Sequence, residues 1–123
     1  DKNKIEKVIL CSGKVYYDLY QARMDKKLTN TAIVRVEQLY PFPENELKDL
    51  LATYPAAKKV VWCQEEPQNQ GAWYTSSHHF LACLGNGQTL HYAGRESAAA
   101  PAVGSPYLHA EQQNALVEEA LML

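Results

Sequence analysis

The 123-residue chain carries 14 acidic against 12 basic side chains, a net charge of −2, with 46% apolar and 21% charged residues. That balance fits one compact domain over residues 1–123 and gives no broad positive field for nucleic acid or anionic lipid. No apolar stretch approaches the ~20 residues that span a bilayer, so neither nucleic acid nor a membrane is an expected partner. The start at Asp1 rather than Met, with polar Asp1-Lys2-Asn3-Lys4 running into a strand, suggests a piece of a longer polypeptide.

In chain order, the β-branched and apolar run at Lys7–Cys11 predicts a strand, Ser12-Gly13-Lys14 a tight turn capped by Ser12, and Val15, Leu19 and Ala22 a helix that stops near Lys27. Arg23, Lys26 and Lys27 then sit at the negative end of that helix dipole. Residues 31–36 predict a second strand, and Pro41-Phe42-Pro43 continues neither element. A helix opens at Pro43 with Glu44 and Glu46 in its first turn, turns Leu47, Leu50 and Leu51 inward, and ends at Pro55. Residues 59–64 predict a third strand, and residues 69–84 a third helix with Trp73, Ser77, Phe80, Leu81 and Leu84 on its apolar side. After the Gly85-Asn86-Gly87 turn come a fourth strand over residues 89–93, a small-residue loop through residues 98–104 and a last helix ending near Leu121.

Strands alternating with helices of this length need crossover connections, which predicts a three-layer α/β/α fold on a mainly parallel open sheet. In such sheets the loops leaving the carboxyl ends of the strands line one rim, where ligands and partners bind. Here that rim carries Ser12-Gly13-Lys14, Arg35, Glu37, Gln64-Glu65-Glu66 and Gly94-Arg95, so charges of both signs are expected to meet, with Glu65 and Arg95 on the same side.

Ser12-Gly13-Lys14 has two readings: a plain strand-to-helix turn, or, with Arg95, an anion or nucleotide site built from free amides and cations. Glu65 and Glu66 point to opposite faces of an extended strand and cannot easily share a substrate, so they read as partner-facing carboxylates. The amides near Asn69 and Gln70, at the third helix start, could accept a carboxylate from another domain. Trp73 reads as core rather than contact. His78, His79, His91 and His109 lack metal-ligand spacing, and no Ser sits in a G-x-S-x-G elbow. Cys11, Cys63 and Cys83 form no C-x-x-C pair and their number is odd, which suits a reducing compartment. Cys11 and Cys63 read either as small buried hydrophobes or as the reactive thiols of a redox protein.

Three runs taken together, residues 11–17 (Cys-Ser-Gly-Lys-Val-Tyr-Tyr), residues 33–43 (Ile-Val-Arg-Val-Glu-Gln-Leu-Tyr-Pro-Phe-Pro) and residues 64–73 (Gln-Glu-Glu-Pro-Gln-Asn-Gln-Gly-Ala-Trp), closely resemble the C-terminal domain of the decarboxylating component of 2-oxoglutarate dehydrogenase. The resemblance continues through Tyr92-Ala93-Gly94-Arg95 and Ala100-Pro101-Ala102-Val103-Gly104. It implies a transketolase C-terminal-like fold and a parent enzyme that decarboxylates 2-oxoglutarate on thiamine diphosphate with magnesium and passes succinyl to a lipoyl-bearing succinyltransferase. It also implies a homodimer and a bacterial cytoplasm or, in a eukaryote, the mitochondrial matrix. The family's G-D-G cofactor motif is absent, so no catalytic or cofactor-binding residue is expected in this chain and the isolated domain is expected to be inactive. What remains is an interface with the preceding thiamine-binding domains through Arg35, Glu37, Gln64, Glu65, Glu66, Asn69 and Gln70. An effector site at Ser12, Gly13, Lys14 and Arg95 accompanies it, or, in a different class, a stand-alone nucleotide- or acyl-CoA-binding module.

Overall fold

The computed structural model describes residues 1–97 and 106–123, with the backbone alone for residues 106–108. After a short 3-10 turn at Lys2–Lys4 come β1 (Lys7–Cys11), α1 (Val15–Asp25), β2 (Thr31–Arg35), α2 (Glu44–Ala52), β3 (Lys59–Pro67), α3 (Gly71–Ala82), β4 (Thr89–Arg95) and α4 (Pro106–Met122). The strands form one sheet in the order β2-β1-β3-β4, and every pair is parallel. Lys7 lies opposite both Thr31 and Lys59, and Lys59 opposite Thr89, so the strands begin level and deliver their carboxyl ends to one rim.

The sheet has a core on each face because its central strands are apolar without a break over Val8–Cys11 and Val60–Cys63 rather than at alternate positions. Val8, Leu10, Val60 and Trp62 face α2 and α3, where Trp62 stacks on Phe80 with ring centroids 4.6 Å apart. Ile9, Cys11, Val61 and Cys63 face α1 and α4, against Leu19, Leu116 and Ala120. Each large side chain so buried contributes about 1.5–3 kcal/mol, and the three layers expected from the sequence are present.

The differences from expectation lie at element ends and on one helix face. β3 runs on to Pro67, with an irregularity between Cys63 and Pro67, so Glu65 and Glu66 belong to the strand. α1 stops at Asp25, and α3 starts at Gly71. The buried stripe of α3 is Ala72, Ser76 and Phe80, continued by Cys83, whereas Leu81 is exposed. The rotation of this helix is set by where Phe80 meets Trp62, not by which of its side chains are most apolar. Trp73 packs against the first core beside Tyr92, as expected of a core residue. Ser12 does not cap α1: the residue at the boundary is Lys14 and no side chain caps the helix, while Gly13 takes φ +80° to make the turn. The loop over residues 98–104, including the Ala100 to Gly104 motif, lies outside the described residues.

Candidate functional site

The rim at the carboxyl ends of the strands gathers the expected residues and adds several from the helices. Lys14, just after β1, donates to Glu65 Oε1 on β3 at 2.9 Å, and that hydrogen bond raises the Lys14 pKa. Gln113 of α4 donates from Nε2 to the same Glu65 Oε1 at 2.6 Å and to Asp18 Oδ2 at 3.0 Å. Its Oε1 accepts from Arg95 Nη2 at 3.2 Å, and the same Nη2 lies 3.4 Å from His109 Nε2. Glu65 and Arg95 therefore share one side of the molecule, joined through a single glutamine. At the outer end, Arg35 donates from Nε to Glu37 Oε1 at 2.6 Å and from Nη1 to the Tyr17 hydroxyl at 3.1 Å. The sequence reading did not place Asp18, Tyr17, His109 and Gln113 on the rim because helices carry them, and the crossing of α1 and α4 over the rim brings them in.

Gln64 is buried, and its amide points inward. Its Oε1 accepts from Trp62 Nε1 at 2.8 Å and from the Trp73 amide at 2.9 Å, while Nε2 donates to the carbonyls of Glu66 at 3.1 Å, Pro67 at 2.9 Å and Gln70 at 2.9 Å. Gln64 thus caps α3 and folds the chain from Glu66 to Gln70 around itself. The start of α3, expected to receive a carboxylate from outside, is satisfied at Trp73 by this domain's own side chain. Glu66 and Asn69 are exposed beside it, with Gln70 half-buried.

The Tyr92 hydroxyl donates to the Arg95 carbonyl at 2.8 Å and the Gln68 amide to the same oxygen at 3.0 Å, which ties the ends of β3 and β4. Burial first of all pushes the Tyr92 pKa up to about 12, so the hydroxyl keeps its proton and remains a donor. Gly94 makes that closure possible: a Cβ there would lie 2.5 Å from Tyr92 Oη and 2.8 Å from the Gln64 carbonyl.

Two other chemical readings fare differently. Cys11 and Cys63 are Cα partners on β1 and β3, fully buried, and burial pushes the Cys11 thiol up to about 12 and the Cys63 thiol higher still. Both then persist as thiols at neutral pH, the form that does not act as a nucleophile. Among the described residues no set of three or more His, Cys, Asp and Glu side chains converges on a metal position. Together with the missing G-D-G pattern, this donor set does not fit a magnesium-bound diphosphate, and no step through that cofactor is assigned to these residues.

Such a molecule is an open-sheet α/β domain whose level, polar rim is its candidate contact surface. The chain belongs to the 2-oxoglutarate dehydrogenase C-terminal family, which it matches over residues 1–121. The 2-oxoglutarate dehydrogenase E1 component of Coxiella burnetii is 54% identical over 123 residues, covering 98% of this chain and 13% of that protein. The E1 component of Azotobacter vinelandii has the same identity and coverage, and that of Haemophilus influenzae is 50% identical over 121 residues, again 98% and 13%. The chain thus spans about 13% of the length of these curated relatives.

Proposed function

We propose that this chain is the C-terminal docking domain of an enzyme that oxidatively decarboxylates 2-oxoglutarate and transfers succinyl to lipoyl groups. The observation that carries the reading is the 54% identity over 98% of the chain to a 2-oxoglutarate dehydrogenase E1 component. The parent uses thiamine diphosphate and magnesium held by other domains, works as a homodimer in the bacterial cytoplasm and meets a lipoyl-bearing succinyltransferase. Within it, this domain sets its rim of Arg35, Glu37, Glu65, Glu66, Asn69 and Gln70 against the preceding thiamine-binding domains, with Gln64 holding the β3 end of that rim in shape.

The geometry favours this role over an effector site at Ser12, Gly13, Lys14 and Arg95. The Lys14 ammonium is already held by Glu65, and Arg95 Nη2 by Gln113, so an incoming anion competes with groups of this domain, while the buried Arg95 Nε has no partner among the described residues. The same competition weighs against a stand-alone nucleotide- or acyl-CoA-binding module.

Glu65→Ala tests the docking role when measured in two settings. In the 123-residue chain it removes the Lys14 ion pair and the Gln113 hydrogen bond to a half-buried carboxylate and lowers unfolding free energy by about 1–2 kcal/mol. In the full-length polypeptide it leaves a covered ammonium unpaired, a loss of about 2–5 kcal/mol that appears as earlier release of this domain in limited proteolysis and lower turnover. Equal effects in the two settings would overturn the rim as the docking surface. Decarboxylation of 2-oxoglutarate by the 123-residue chain, given thiamine diphosphate and magnesium, would overturn the division of roles.

A further inference from the structure

Residues 67–94 hold no Asp, Glu, Lys or Arg, although such residues make up 21% of the whole chain. The run takes in all of α3, the turn after it and most of β4, and its only basic side chains are His78, His79 and His91. A half-buried strand has little use for charge, but a helix with a water-facing side ordinarily carries charged residues there. The other three helices obey that rule: α1 exposes Asp18 and Asp25, α2 Lys48 and Asp49, and α4 Glu111 and Glu118. α3 exposes none.

The uncharged side of α3 is one continuous face. At about 100° per residue, Ala72, Ser76 and Phe80 form the inner side of the helix, and Tyr74, Thr75, His78, Leu81 and Ala82 fall together on the opposite side, within about 120° of arc. All five are exposed, Tyr74 by 69% and Leu81 by 57%. Solvated surfaces mix charges of both signs, whereas the centre of a protein interface is depleted of charge and enriched in aromatic side chains. Tyr74 and Leu81 on a charge-free face match the second description.

Three properties select what covers it. An ion on a neighbour's surface would lose its hydration against α3 and find no counter-charge there, so the matching surface is itself uncharged and apolar. One face of a 12-residue helix, about 18 Å long, falls well short of the roughly 800 Å² per partner that free molecules bury in a stable complex. With no charge to steer an encounter either, such a face suits a neighbour that is already tethered at high effective concentration. The helix also starts at the rim: Gln64 Nε2 donates to the Gln70 carbonyl and its Oε1 accepts from the Trp73 amide, both at 2.9 Å, so a domain seated on Glu65 and Glu66 stands beside the first turn of α3.

We propose that the outward face of α3, centred on Tyr74, His78 and Leu81, is a second contact surface of this domain, covered in the parent enzyme by an uncharged, apolar surface of the domains that precede it in the polypeptide. The proposal rests on the docking role above and supplies the apolar area that the charged rim lacks.

Hydroxyl-radical footprinting of the 123-residue chain and of the full-length polypeptide reads the face directly, because Tyr and Leu side chains each report their own exposure. Oxidation of Tyr74 and Leu81 should fall at least about fivefold in the full-length polypeptide, where the neighbour excludes water. Leu81→Lys should leave the urea midpoint of the 123-residue chain unchanged, because the side chain stands in water there. In the full-length polypeptide it should speed proteolytic release of the domain at least about tenfold, because the new ammonium is buried without a partner. The proposal is overturned if Tyr74 and Leu81 are oxidised equally in the two settings, or if Leu81→Lys leaves release unchanged. Protection that appears only when a lipoyl-bearing succinyltransferase is added would give the face to another occupant and overturn it equally, as would self-association of the 123-residue chain that Leu81→Lys abolishes. Failure here beside unequal Glu65→Ala effects strikes the α3 face and leaves the rim standing, whereas equal Glu65→Ala effects with Tyr74 protected strike the rim alone.

Discussion

Gln64→Leu keeps the volume and removes every polar contact of the buried amide. Five partners are released: Trp62 Nε1, the Trp73 amide and the carbonyls of Glu66, Pro67 and Gln70. Trp62 is 1% exposed, so its indole N–H stays orphaned, and the Trp73 amide loses its cap at a partly buried helix start. Two such donors at about 1–3 kcal/mol each, with the carbonyls partly regained by water, predict a loss of roughly 3–5 kcal/mol. That is a large part of a typical domain's stability of about 5–15 kcal/mol. Urea unfolding followed by the fluorescence of Trp62 and Trp73 measures it directly. Gln64→Glu sharpens the test, because one carboxylate oxygen still accepts from Trp62 and Trp73 while the other faces three carbonyl oxygens. Protonation relieves that repulsion, which raises the folded-state pKa, so the variant should be most stable at acid pH and weaken as pH rises. A loss below about 1 kcal/mol for Gln64→Leu would refute the view that this amide holds the β3 end together.

Four further outcomes follow from the geometry. Lys7, 8% exposed, donates to the Leu121 and Ala120 carbonyls at 2.6 and 3.3 Å, and Lys7→Met should lower stability by about 1–2 kcal/mol in chemical denaturation with faster amide exchange at the end of α4. Burial, then the charge of Lys59, lowers the Lys7 pKa below its ordinary 10.5; between the lowered value and 10.5 the unfolded chain binds more protons, so the parent chain should gain stability over Lys7→Met as pH rises through that window. Native Cys11 and Cys63 should resist an aromatic disulfide reagent at neutral pH and react once urea unfolds the chain, and fast labelling of the native chain would contradict their placement. Gly94→Ala drives a methyl to 2.5 Å from Tyr92 Oη and 2.8 Å from the Gln64 carbonyl and should lower thermal stability by about 1–3 kcal/mol, whereas Gly13→Ala meets no atom within 4 Å and suffers only from its φ of +80°.

The sheet was legible because β1 and β3 spell short, continuous runs rich in β-branched and apolar residues, too short for a buried helix and suited to a strand covered on two faces. Rim membership was legible for the same reason: once strands are parallel and level, whatever follows each of them must share one edge. Direction within the rim was not. Gln64 sits at a strand end among carboxylates, and nothing in Gln-Glu-Glu-Pro says that its amide turns inward; that depends on the irregularity between Cys63 and Pro67, which bends the chain back over it. The inward face of α3 was misplaced by about one residue because Leu81 is more apolar than Ser76. Packing Phe80 on Trp62 outweighs that difference and leaves Leu81 in water. His79 shows the same limit, since its ring stacks on Phe42 and its Nδ1 lies 2.7 Å from Glu44 Oε2, a link between α2 and α3 with no signature in sequence spacing.

The character of the rim follows from how charge is distributed over this fold. On the rim, Lys14 is matched to Glu65, Arg35 to Glu37, and Gln113 joins Asp18 and Glu65 to Arg95, so a covering neighbour meets fixed dipoles instead of bare ions. Burying pre-paired charges avoids the penalty of stranding an ion, and it supplies register and selectivity more than raw affinity. Adhesion then has to come from apolar area or unsatisfied backbone. On the proposed docking role, rim substitutions should alter where the domain sits on its neighbour more than they alter its own folding stability.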